Sequence, residues 1–169
     1  MPTSMADSVV VDVPADVAWA FVSDPRRVHS VVPNTTVAIL SGSFETVGSR
    51  YLVTTRAPGQ TLDATHEIVR YEPPRLIETR TTSQGTVGRS LMQVEPVRDG
   101  ACALIVQGEI EWGGTFTALV SRVVTALAGR KTFAESLERL KRAIESDAAR
   151  VRVEPASRAD PEAHLGEER

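Results

Sequence analysis

Ala101-Cys102-Ala103-Leu104-Ile105-Val106-Gln107-Gly108-Glu109-Ile110-Glu111-Trp112, followed by Gly113-Gly114, is the stretch where the sequence declares its architecture. Cys102, Leu104, Val106, Gly108, Ile110 and Trp112 take alternate positions, and Ala103, Ile105, Gln107, Glu109 and Glu111 take the others. Side chains on a strand point to opposite faces in turn, so this run reads as a strand whose first set faces the interior. The paired glycines end it. The period then changes. Phe116, Leu119, Val120, Val123, Val124 and Leu127 fall on one helical stripe, as do Phe133, Leu137, Leu140 and Ile144. A long helix is therefore expected from about 116 to 148. Ala128-Gly129-Arg130 lies between the two stripes. A glycine inside a helix costs about 1 kcal/mol relative to alanine, so a kink or break is expected there.

Upstream of this junction the extended pattern repeats. Runs at 36–41, 49–56, 62–72, 75–82, 86–97 and 101–112 are separated by Gly42-Ser43, Pro58-Gly59, Pro73-Pro74, Ser83-Gln84-Gly85 and Asp99-Gly100. Each separator suits a chain reversal, and such short connections join antiparallel strands. A further strand comes first, Ser8 to Val13, ended by Pro14. Pro14 to Val22 reads as a short helix, with Asp16 at its positive end and Val17, Ala20 and Phe21 on one face. Ser23-Asp24-Pro25 stops it and caps a second short helix over about Arg26 to Val32, which Pro33-Asn34 stops in turn. The expected fold class is α+β: seven antiparallel strands, two short helices after the first, and one long helix at the end.

Composition sets the outer limits. The chain has 169 residues, 41% apolar and 24% charged, with a net charge of -3. It is long enough for a core without covalent staples, and its charge gives no reason to expect nucleic acid as a partner. The single Cys102 excludes an internal disulfide and reads as a small core hydrophobe. No run of about 18 apolar residues is present to span a membrane. The start carries no basic-then-apolar signal, so a cytoplasmic location is the default expectation. Residues 1–150 read as one domain, and 151–169, rich in charge and poor in large apolar side chains, as a disordered tail.

Several local motifs, in order, resemble the START-like (SRPBCC) superfamily and its polyketide cyclase/dehydrase branch. Val13 to Pro25 looks like that family's strand-to-helix signature. Tyr71-Glu72-Pro73-Pro74-Arg75-Leu76 resembles its central turn, Val47-Gly48-Ser49-Arg50 its strand opening, and Leu137 to Ile144 its closing helix. The resemblance covers about residues 6–146 and implies a helix-grip (START/Bet v 1-like) fold. In it a curved sheet wraps the last helix and leaves a tunnel or pocket for a lipid, polyketide, hormone or quinone. Asp24 to Pro33 also resembles a loop of the carbon monoxide dehydrogenase G-subunit group, which implies quinone handling or transient membrane contact.

The cavity has a physical rationale of its own. A strongly curved sheet cannot close flat on one helix, so an apolar gap persists near that helix. Its candidate lining is Val32, Leu52, Arg80, Met92, Val106 and Gly108 from the first part of the chain. Trp112, Phe116, Leu119, Val120 and Val123 complete it from the sheet end and the helix. His66 and Arg89 are the candidate catalytic groups: an imidazole titrates near neutrality, and a guanidinium can polarise a ligand oxygen. Only one of His66 and Glu67 can face inward. Arg80 and Arg89 are expected close together across the hairpin at Ser83 to Gly85, and Glu109 and Glu111 to serve in cross-strand pairs. His29 reads as an exposed helix residue, with Val28, Val31 and Val32 facing a pocket mouth.

The sequence contains no phosphate loop, dinucleotide fingerprint, zinc-protease helix or nucleophile elbow. No metal site and no cofactor are expected. Three functions remain open: a binding protein for an apolar or aromatic small molecule, a polyketide cyclase or aromatase using the same cavity, and a partner-binding module with a vestigial cavity.

Overall fold

The structure is a computed structural model, and it describes residues 3–111 and 117–153, with side chains described over 4–110 and 133–151. The chain opens with strand β1 (Thr3–Val11), then helices α1 (Ala15–Val22) and α2 (Pro25–His29). Strands β2 (Thr35–Ser41), β3 (Arg50–Ala57), β4 (Gln60–Glu72), β5 (Leu76–Ser83), β6 (Thr86–Arg98) and β7 (Ala101–Glu111) follow, and helix α3 (Thr117–Val153) closes the fold.

The strands form one curved sheet in the order β1-β7-β6-β5-β4-β3-β2. Every neighbouring pair is antiparallel. Five of these pairings are hairpins between consecutive strands, as the turn residues require. The sixth brings β1 back beside β7, with Val11 opposite Cys102 and Thr3 opposite Ile110. β1 thus begins five residues before the expected Ser8. The added residues are mostly polar, but a ladder is held by backbone groups, and the neighbouring β7 supplies their partners.

The connection after β1 is fixed locally. Pro14 accepts from the Ala18 amide at 3.1 Å to start α1. The Asp24 carboxylate caps α2, accepting from the Arg26 amide at 2.9 Å and from the Arg26 guanidinium at 3.0 and 2.9 Å. α2 is shorter than expected and ends at His29 rather than Val32. The Ser30 amide closes it by donating to the carbonyls of Arg26 and Arg27.

α3 lies against the same face of the sheet that carries the β7 interior. Among its described side chains, Leu137, Leu140, Ile144 and Ala148 are buried, spaced three or four apart, and they join a core that includes Val11, Phe21, Val22, Ile68 and Leu104. Cys102 is fully buried in this core, as its apolar surroundings imply. Trp19 packs there with its ring 5.7 Å from Tyr71. Two polar contacts fix the end of α3: Glu145 accepts from the Asp12 amide at 3.0 Å, and Asp147 pairs with Arg27 at 2.9 Å. The helix continues through Gly129 without the expected break. It also extends to Val153, so residues 151–153 belong to the helix and not to a tail. The remainder of the expected tail lies outside the described residues. No described helix is long and apolar enough to cross a membrane.

Candidate functional site

The inner face of the sheet, the α1–α2 corner and α3 enclose a pocket of about 240 Å³. Strand parity decides which residues reach it. Tyr51 on β3 pairs with His66 on β4, and His66 with Thr81 on β5, so all three share the inner face. Ile77 and Thr79 on β5, Ser90 and Met92 on β6, and Val106 on β7 continue the wall. Val28, Val31 and Val32 close one side, and Phe133, Leu137 and Leu140 of α3 close another.

One end of this apolar space is polar and aromatic. His66 Nδ1 is 2.9 Å from the Thr81 hydroxyl. The His66 ring stacks on Tyr51 with 4.9 Å between centroids. His29, carried in from α2, meets His66 at 5.5 Å with the rings at 63°. Phe44 backs Tyr51 edge-on at 5.6 Å. Burial disfavours the charged form of each titratable group. It lowers the pKa of His29, and burial together with the nearby His29 pushes that of His66 down to about 4. Burial raises the Tyr51 phenol despite its hydrogen bond to Thr79. At neutral pH the cluster is uncharged.

The candidate residues fall into three groups. Val32, Met92, Val106 and His66 line the pocket. Leu52, Arg80 and Arg89 do not. Each is one or three positions from an inward residue, so the two-residue strand period turns it outward. Arg80 does lie opposite Arg89, as the hairpin predicts, but on the outer face. There Arg80 shares a charged groove with Arg50 and Glu67, and Arg89 pairs with Glu78 at 3.5 Å with its side chain 62% exposed. An outward guanidinium cannot polarise a ligand in the cavity, so Arg89 is withdrawn as a catalytic candidate. Gly108 stands opposite Ser90 on the inner side but does not line the pocket. A Cβ there would meet nothing nearer than 3.9 Å, so no close approach demands a glycine. Trp112 and Phe116, and the side chains of Leu119, Val120 and Val123, lie outside the described residues.

His29, expected as an exposed helix residue, is half-buried in this cluster, and Tyr51 joins it from β3. His29 sits beside Val28 and ahead of Val31 and Val32, and that adjacency to the pocket mouth was its available signal. Among the described residues no group of three or more His, Cys, Asp or Glu could hold a metal ion.

These features define a helix-grip protein, a hydrophobic ligand-binding fold of curved sheet and long terminal helix. The chain belongs to the polyketide cyclase/dehydrase and lipid transport family, whose model matches residues 2–145. Solved structures agree on the fold. Norcoclaurine synthase from Thalictrum flavum, in complex with dopamine and hydroxybenzaldehyde, is 16% identical with a TM-score of 0.63, covering 89% of this chain and 88% of that one. A conserved protein from Geobacillus kaustophilus is 14% identical with a TM-score of 0.66, covering 88% and 96%. Ara h 8.0201 is 14% identical with a TM-score of 0.60, covering 89% and 99%. No curated protein matches the chain.

Proposed function

We propose that this chain binds an apolar or aromatic small molecule in the pocket between the sheet and α3. One observation carries the reading: among the described residues the lining holds no Asp, Glu, Lys or Arg. A ligand there gains about 25 cal/mol for each Å² of apolar surface removed from water. The space exceeds the ~150 Å³ that suffices to hold benzene in a dry engineered cavity. Native mass spectrometry of the purified protein tests this, together with thermal unfolding in the presence of naphthalene and palmitate. A co-purified hydrophobic molecule, or a rise in Tm with either probe, is the expected result. A bare protein whose Tm ignores both probes overturns it.

A second reading, a cyclase or aromatase using the same pocket, has one observation in its favour. His66 lies in the lining as a neutral imidazole, the form that accepts a proton. Shape would do most of the work by folding a flexible chain for reaction. Loss of turnover in His66→Gln, with binding kept, is the result this reading requires; full turnover in that variant ends it.

A further inference from the structure

We infer that His29 and His66 together form a recognition subsite for a hydroxyl group carried on a one- or two-ring aromatic ligand. This rests on the ligand-binding reading and specifies the chemistry it selects. The two imidazoles stand 5.5 Å apart and both line the pocket. They come from separate elements, α2 and β4, so no local turn or cap accounts for their meeting. His66 commits Nδ1 to Thr81 and leaves Nε2 for a ligand. The His29 carbonyl accepts from the Val32 amide at 3.1 Å, and burial disfavours the charged form of its imidazole.

A neutral imidazole offers one donor and one acceptor. Two of them side by side suit a group that donates and accepts at once. A hydroxyl does so, and it fits either tautomer of His66. A carboxylate brings a charge that no lining cation compensates, and burying it unpaired is costly. An ammonium meets the same objection, since no lining carboxylate is present among the described residues. The stacked Tyr51 and His66 rings present an aromatic wall, which favours a planar ligand over an acyl chain. The volume of about 240 Å³ suits one or two rings.

The test titrates the full chain at neutral pH with 2-naphthol, naphthalene, 2-naphthoate and palmitate. It repeats the titration with His66→Phe and His29→Phe, in which a ring is retained and the nitrogens are removed. Wild type is expected to bind 2-naphthol about tenfold tighter than naphthalene, the value of one well-made buried hydrogen bond. It should bind 2-naphthoate at least about tenfold more weakly than 2-naphthol. Each variant should still bind naphthalene, which reports a folded pocket, and lose the preference for 2-naphthol. Equal affinity for the two neutral probes, a preference surviving in both variants, or naphthoate binding as well as naphthol overturns the subsite. Binding of palmitate alone also overturns it, and leaves the broader ligand-binding reading standing. Failure of all four probes removes both.

Discussion

The His66 imidazole lies flat against the Tyr51 ring, 4.9 Å between centroids and 5° between planes. The two residues are direct cross-strand partners on β4 and β3. An antiparallel ladder places such a pair side by side on one face, so the stack follows from register. Tyr51 is only 5% exposed. An imidazolium at this position would have to give up its water for a phenol face and a second histidine. That cost appears as the low pKa of His66.

Stability should therefore fall as the solution is acidified from neutrality. The unfolded chain protonates His66 near its ordinary value of 6.5, whereas the fold holds it at about 4. Between these values the unfolded state binds the extra proton, so the contribution is complete above about 6.5 and is lost as pH falls toward 4. Its full size is roughly 3 kcal/mol. His29, also lowered, acts in the same direction. Urea midpoints measured from pH 7.5 to 4.5 should drop steadily in wild type and less in His66→Phe. A flat profile in wild type, or an unchanged slope in the variant, contradicts the buried neutral pair.

Arg89 and Ser90 are chain neighbours on opposite faces of β6, and they should respond oppositely to substitution. Ser90→Phe places a ring in the pocket beside Met92 and should weaken binding of naphthalene by tenfold or more, with overpacking held to about 1–3 kcal/mol of stability. Arg89→Ala removes only an exposed pair to Glu78, worth under about 1 kcal/mol after solvent screening, and should leave binding unchanged. Calorimetric titration and urea unfolding of both variants check this. Loss of binding in Arg89→Ala with none in Ser90→Phe would reverse the assignment of faces.

Much of the fold is legible in the sequence because its boundaries are chemical. Gly42, Gly59, Gly85 and Gly100 all adopt positive φ at strand ends, a conformation other residues avoid, so each marks a reversal without reference to the rest of the chain. The site is less legible because it depends on parity and register. Arg89 and Met92 are three apart on one strand and cannot both face inward, and the bulge between Ile68 and Arg70 further shifts the β4–β5 count. His29 depends on where a five-residue helix sets down against a sheet, which no local pattern encodes. The long helix misled in the other direction. Gly129 weakens it only by the intrinsic propensity term, and the continuous helix shows that this was not enough to end it.

Gly42 and Gly59 separate two reasons for needing glycine. Both have positive φ, +72° and +79°. At Gly59 an added Cβ meets open space, so Gly59→Ala should cost only the left-handed backbone penalty, about 1 kcal/mol. At Gly42 the same atom would overlap the Ser49 side chain. Ser49 is 5% exposed, and its hydroxyl accepts from the Ser43 amide at 3.0 Å, while its carbonyl accepts from the Ile68 amide at 2.9 Å. Displacing it would break the hydroxyl contact and disturb the seam between the β2–β3 connection and β4. Gly42→Ala should therefore cost at least about 1 kcal/mol more than Gly59→Ala, the value of the lost hydrogen bond. Urea unfolding of the two variants side by side measures the difference. Equal losses would mean that Ser49 moves aside freely and that only the backbone conformation constrains position 42.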